Sequence, residues 1–180
     1  MCSKLARDNE PMPIQRIVVA PALTLAAFGL TFAAFGQAPA SPPPNVPYGT
    51  SISADAAKKV AAAAIAEARK NNWAMAVAIV DTGGYLVYFE RMPDTQLGSV
   101  EISIEKAKSA ALFRRPTKAF QDTLAAGGEG LRILRLTGAI PVEGGIPLIL
   151  DGKVIGAVGA SGGSSDQDGR TAQAGVTATK

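Results

Sequence analysis

The sequence has no histidine, a single cysteine at position 2, one tryptophan and few aromatic residues, 6% of 180. Each shortage closes a class of chemistry. Without histidine there is no Ser-His-Asp triad, no zinc site of the Cys/His kind and no imidazole ligand for a haem iron. Assembly of identical copies cannot restore them. Cys2 falls in a stretch that reads as an export signal, so the rest of the chain carries no thiol nucleophile and no disulfide and tolerates an oxidising compartment. Charge is sparse too: the formal net charge is +3, of which Lys4, Arg7 and Arg16 against Asp8 and Glu10 contribute +1. No basic stripe with interleaved aromatics is present, which argues against nucleic acid as a partner. Arg114, Arg115 and Lys118 form the one dense basic cluster, short enough to be a solvated helix edge. What is left for chemistry is carboxylates, hydroxyls, Lys, Arg, Tyr and backbone groups.

The N-terminal segment has the three parts of a secretory signal. Arg16 precedes an apolar run, Ile17 to Phe35, and Gln37-Ala38-Pro39-Ala40 gives the A-x-A pattern of a cleavage site. The expected organisation is a signal over 1–40, cut after Ala40 and with Met12 as a candidate true start, a Pro-rich linker over 41–52, and one domain over 53–180. An uncleaved anchor is the rival reading, because the apolar run nearly spans a bilayer. The A-x-A and the Pro-rich spacer favour cleavage, a periplasmic or secreted location, and contact with the membrane only through the signal. The mature chain is long enough to build a core without disulfides or metals.

Ser53 is placed to cap a helix to about Asn71, with Asp55 in its first turn. Ala74 to Val80 and Tyr85 to Glu90 read as strands joined by the turn Asp81-Thr82-Gly83-Gly84. Ser99 opens a helix whose apolar stripe is Val100, Ile104, Ala107 and Ala111, with Lys106 and Phe113 off that stripe. Pro116 ends it, and Thr117 is expected to cap a short helix over Lys118 to Leu124. Gly127, Gly128 and Gly130 read as a flexible link. Leu148 to Leu150, the turn Asp151-Gly152 and Val154 to Ala160 form the clearest hairpin. A last helix starts at Ser164 or Ser165 with Asp166 and Asp168 in its first turn. Hairpins and helices without a βαβ crossover predict an α/β (α+β) fold with an antiparallel sheet covered by helices.

Several groups are candidates for a site. The loop Ser161-Gly162-Gly163-Ser164-Ser165 puts backbone N–H groups at a helix start, which suits an anion and equally suits a tight connection capped by its own serines. Glu143 beside Gly144 and Gly145 combines a carboxylate with backbone that a ligand can approach closely, and burial would make it a base near neutral pH. Lys106 is a candidate electrophile or anion anchor, or a stem lying on apolar surface with its ammonium in water. Arg91 and Arg114 are candidate forks for a small carboxylate, or surface ion-pairing residues.

Six pieces in order, Val80-Asp81-Thr82-Gly83-Gly84-Tyr85-Leu86, Phe89-Glu90-Arg91-Met92, Glu105-Lys106-Ala107, Phe113-Arg114-Arg115-Pro116-Thr117, Pro141-Val142-Glu143-Gly144-Gly145-Ile146-Pro147 and Gly156-Ala157-Val158-Gly159-Ala160-Ser161-Gly162, resemble the GlcG/HbpS family of haem-degrading domains. The resemblance runs from about Ser53 to Ala178. It implies a profilin-like arrangement of a five-stranded antiparallel sheet with helices on both faces, assembly into dimers and octamers, and haem or corrinoid-related binding in some members. It also brings in Phe113, Arg114 and Thr117 as ligand-site residues, Thr117 being the hydroxyl placed for haem handling. Many relatives carry His after the Gly-Gly of the first hairpin. Tyr85 stands there in this chain.

Three functions follow. The first is an exported small-ligand-binding protein, with haem or another tetrapyrrole held by Tyr85 as axial ligand and Arg91 or Arg114 on its propionates. A second is an enzyme on a small metabolite, with Glu143 as base and Lys106 or the Ser161-Gly162 backbone stabilising negative charge; this needs Glu143 and Lys106 within hydrogen-bond reach. A non-catalytic accessory or assembly subunit is the third.

Overall fold

A computed structural model describes residues 46–179. The expected signal, its cleavage site and the linker up to residue 45 lie outside the described residues. Helix α1, Ala54–Lys70, begins where Ser53 accepts the N–H of Ala56 and ends on the Asn71 cap. Its alanines leave a flat face that sinks Ala57, Val60, Ala61, Ala64, Ile65 and Ala68 into the core. Strand β1, Ala76–Val80, is buried throughout and pairs with the edge strand β2, Leu86–Arg91. Between them Asp81 Oδ1 accepts the N–H groups of Gly83 and Tyr85, so the aspartate closes the turn with its own side chain.

Helix α2, Ser99–Phe113, follows, then α3, Thr117–Ala125, a 3₁₀ segment at Gly128–Arg135, strands β3, Gly145–Leu150, and β4, Lys153–Ser161, and helix α4, Ser165–Thr177. Asp151 and Gly152 both take positive φ, 50° and 72°. That is the geometry a two-residue hairpin turn requires. Ser164 and Gln167 form a reciprocal capping box at the start of α4.

The sheet has the order β2-β1-β4-β3 and every strand pair is antiparallel. Alternation of side chains separates its two faces. Val77, Ile79, Val158 and Ala160 pack with α1 and with Ala172 of α4, whereas Ala78, Val80 and Ala157 pack against Ala107, Ala110 and Ala111 of α2. Helices therefore cover both faces. Gly159 lies directly beneath α2, where a Cβ would run into the Ser103 carbonyl and the Ala107 N–H. The helix rides on the sheet at backbone distance.

Four elements differ from the sequence expectations. Among the described residues the sheet has four strands, not five. The segment that approaches as a fifth makes only one parallel bridge, Tyr48 to Val154, because Pro47 has no N–H to extend the ladder and the chain turns into α1. Helix α2 begins at Ser99 as expected, capped by Gly98, but its buried face includes Ser99, Ser103 and Lys106 rather than a purely apolar stripe. Small serines let the helix approach, and Lys106 finds a buried counter-charge. Thr117 does not cap α3, whose N-cap is Pro116; its hydroxyl instead accepts the Gly145 N–H at 2.9 Å. The glycine link continues into 3₁₀ turns, a segment with no buried residue and hence no apolar stripe to read.

Candidate functional site

Lys106 leaves the sheet-facing side of α2, passes the start of β3 and delivers its ammonium to the opposite layer. There Nζ donates to Asp168 Oδ2 at 2.6 Å and to the Ala160 carbonyl at 3.2 Å. The side chains are 1% and 4% exposed. Asp168 also accepts the Gly163 N–H at 3.0 Å. Burial pushes the Asp168 carboxyl above its ordinary value, opposed by the Lys106 ammonium and by the Gly163 and Gly162 N–H groups. Gly144, at φ 127°, covers the pair; a Cβ there would lie 3.0 Å from Nζ and 2.6 Å from the Ala160 oxygen. Only glycine suits that position.

The same loop carries Glu143, whose N–H donates to Gln121 Oε1 at 2.9 Å. Its side chain lies on Gly169 inside α4, where a Cβ would collide with it. A pocket of about 290 Å³ opens here, bounded by Pro116 and Lys118 of α3, Glu143 to Ile146, and Gly169, Arg170 and Gln173 of α4. Burial raises the Glu143 carboxyl; Lys118 pulls it down, Asp166 and Asp122 push it up, and Lys106 adds a weaker downward pull through space. Lys118 is itself held by Asp122, at 2.7 and 3.0 Å. Arg170 lies 4.9 Å over the Trp73 ring and 3.8 Å from Glu67.

The other candidates lie elsewhere. Tyr85 is 75% exposed at the first hairpin, followed by the half-exposed Leu86; its ring lies against Gly83, while Lys108 and the half-exposed Leu112 pass close to Gly84. Arg91 is exposed at the far end of β2, about 20 Å along the strand from Tyr85. Arg114 stacks 5.3 Å over Tyr48 and donates to the Val46 carbonyl. Phe113 meets Phe120 edge to face, with centroids 5.2 Å apart. Thr117 is fully buried beneath Gly145. Ser161 Oγ lies 3.1 Å from Ser99 Oγ, and Gly162 is pressed against Ala74 and Met75.

Thus Glu143, Gly144 and Gly145 share a pocket, with Lys106 and Thr117 just behind its wall. Tyr85 and Arg91 sit on the opposite sheet edge, and Ser161 and Gly162 at the end of β4. The Glu143 and Lys106 side chains do not hydrogen-bond, since the ammonium is directed at Asp168. Nor is the α4 N-terminus open to an outside anion from this side: Asp168 takes the Gly163 N–H that such an anion would use. Sequence reasoning treated Asp168 only as a helix-dipole residue, read Lys118 only as part of a solvated basic cluster, and did not single out Lys108, Arg170 or Gln173. One signal was available in Gly169, which costs a helix interior roughly 1 kcal/mol relative to alanine and so marks a close approach.

This geometry coincides with a known domain type. The family model described as "Haem degrading protein HbpS-like" matches residues 52–177. The chain belongs to the HbpS-like family. GlcG of Escherichia coli K12 is 40% identical over 110 residues, covering 61% of this chain and 81% of GlcG. Among solved structures, the HbpS-like chain is similar to ORFY of Klebsiella pneumoniae, with TM-score 0.67, 33% identity and coverage of 73% and 92%. It is likewise similar to PduOC in a complex with haem, with TM-score 0.65, 30% identity and coverage of 72% and 95%.

Two outcomes test the local physics. Lys106→Met or Asp168→Ala alone leaves one buried charge unpaired and lowers stability in urea unfolding by about 3–5 kcal/mol, whereas the double variant Lys106→Met/Asp168→Leu loses less than the two single losses combined. For Glu143, burial raises the folded-state value above the unfolded one. Its contribution is therefore fully present below the unfolded carboxylate range and is lost as pH rises through the folded value. Glu143→Gln should melt higher than wild type at neutral pH, and the gap should close below about pH 4.

Proposed function

We propose that this HbpS-like chain is a binding protein for haem or a related tetrapyrrole, taking it on the open face at Tyr85. The observation that carries the reading is the haem complex of PduOC, a domain 30% identical to this chain that aligns over 95% of its own length. The residues at Tyr85 meet the chemical demands of haem. A phenol can ligate ferric iron in place of imidazole, and no group among the described residues hydrogen-bonds this one. Leu86 follows it in the chain, and at neighbouring Gly84 lie Leu112, which adds apolar surface, and Lys108, a cation for a propionate. Arg91 is too far along β2 to share that ligand, and Arg114 is engaged with Tyr48 and Val46.

Tyr85 lies on a face rather than in a slot, so the second wall of the binding site comes from another copy of the chain. Bound haem would supply redox and oxygen chemistry; the protein contributes the phenol, the apolar contact and the neutralising charge. Thr117, sealed beneath Gly145 at the opposite edge of the sheet, does not reach a ligand at Tyr85. The enzymatic alternative with Lys106 as electrophile has less support, because that ammonium already carries two buried partners. The same reading has the chain exported and cut after Ala40.

Hemin added to the purified protein should shift the Soret band, and Tyr85→Phe should weaken binding and alter the band. No shift, or an identical shift in Tyr85→Phe, overturns the arrangement. For export, the intact mass of the protein recovered from the producing cells should begin at Ser41; a mass that retains residues 1–40 contradicts it.

A further inference from the structure

Glu143 is the one charged group facing the pocket between α3, the 143–146 loop and α4 that lacks a partner of its own among the described residues. Every charged neighbour is accounted for. From α2 comes Lys106, paired with Asp168 of α4. From α3 come Lys118 and Asp122, paired with each other. Arg170 of α4 is shared between Trp73 and Glu67. Once these pairs cancel, Glu143 and the exposed Asp166 leave the pocket mouth net negative. The walls beside the carboxylate are Pro116, Gly144, Gly145 and Ile146, and the lining is completed by Gly169, Gln173 and the two cations Lys118 and Arg170, which are held by Asp122 and Glu67.

We propose that this pocket is a binding site for a small organic ammonium, whose cation pairs with the Glu143 carboxylate while its hydrocarbon body lies against Pro116 and Ile146. Size supports the class. A volume of about 290 Å³ corresponds to about ten water-sized groups, enough for a short alkylamine and far too little for a tetrapyrrole. Charge supports it as well, since a carboxylate-bearing ligand would meet Glu143 and Asp166 with both nearby cations already paired. Three glycines shape the place: Gly144 and Gly145 keep the loop low, and Gly169 leaves room for the Glu143 side chain. The raised Glu143 carboxyl is the behaviour of a half-buried acid still short of a counter-charge.

This site is independent of the haem reading. Tyr85 adjoins the β2 edge and Glu143 the β3 edge, three strand spacings or about 14 Å apart across the sheet. Calorimetric titration of the full chain with n-butylammonium, n-butanol and butyrate, at neutral pH and low salt, tests it without hemin. Saturable binding of butylammonium is expected, with affinity at least about tenfold weaker for butanol and butyrate and at least about tenfold weaker in Glu143→Gln. If Glu143→Gln does not fold, Gly169→Ala carries the same test, because it keeps the charge but displaces the carboxylate and should weaken binding as well. Absence of saturable butylammonium binding, equal binding of butyrate, or unchanged affinity in the folded variant overturns the proposal.

Discussion

The structure turns on one ion pair that has to cross from one helix layer to the other. Lys106 starts on α2, on one side of the sheet, and Asp168 sits in the first turn of α4, on the other. Both charges are buried, so neither is tolerable alone, and the alignment of α2, β3 and α4 is fixed by the need to keep them at hydrogen-bond distance. The Gly144–Gly145 pair follows from the same constraint. Any side chain at 144 would strike the ammonium, the Asp168 Cβ or the Ala160 carbonyl, and one at 145 would strike the Lys106 carbonyl and the Thr117 methyl.

That arrangement distributes the chemistry of the molecule. The most basic buried group and the start of α4 satisfy each other, which removes both from any outside ligand. What stays available on this side is Glu143, held half-buried by the same loop and without a salt-bridge partner among the described residues. On the far side Tyr85 projects, exposed, from a turn that Asp81 closes. A chain without histidine thus offers a phenol on one edge and a carboxylate on the other. The family relationship gives weight to the phenol, and the shape and charge of the pocket give weight to the carboxylate.

Legibility from sequence followed the range of the interactions. The Ser53 and Ser164 caps, the Asp81 turn and the Asp151-Gly152 hairpin were readable because each depends on residues within four positions of one another. Burial on α2 was not legible, since Ser99 and Lys106 are polar and find their buried partners 54 to 62 residues away. Thr117 was misread for the same reason: as a cap it would serve its own helix, but Gly145, 28 residues on, takes its oxygen.

The sequence by itself determined the hairpins, the starts of α1 and α4, the antiparallel sheet and the absence of imidazole chemistry, because turn geometry, capping and composition act locally or need no geometry at all. Only the tertiary structure decided which charges are partnered. Lys106 and Glu143 look alike in one dimension, each an ionisable residue beside small or apolar neighbours. Packing α4 against the start of β3 gives Lys106 a carboxylate at 2.6 Å and leaves Glu143 facing a pocket whose nearest cation, Lys118, is held by Asp122. The physical reason is that a charge in a weakly screening interior is governed by its nearest opposite charge, and that distance exists only once the layers are assembled.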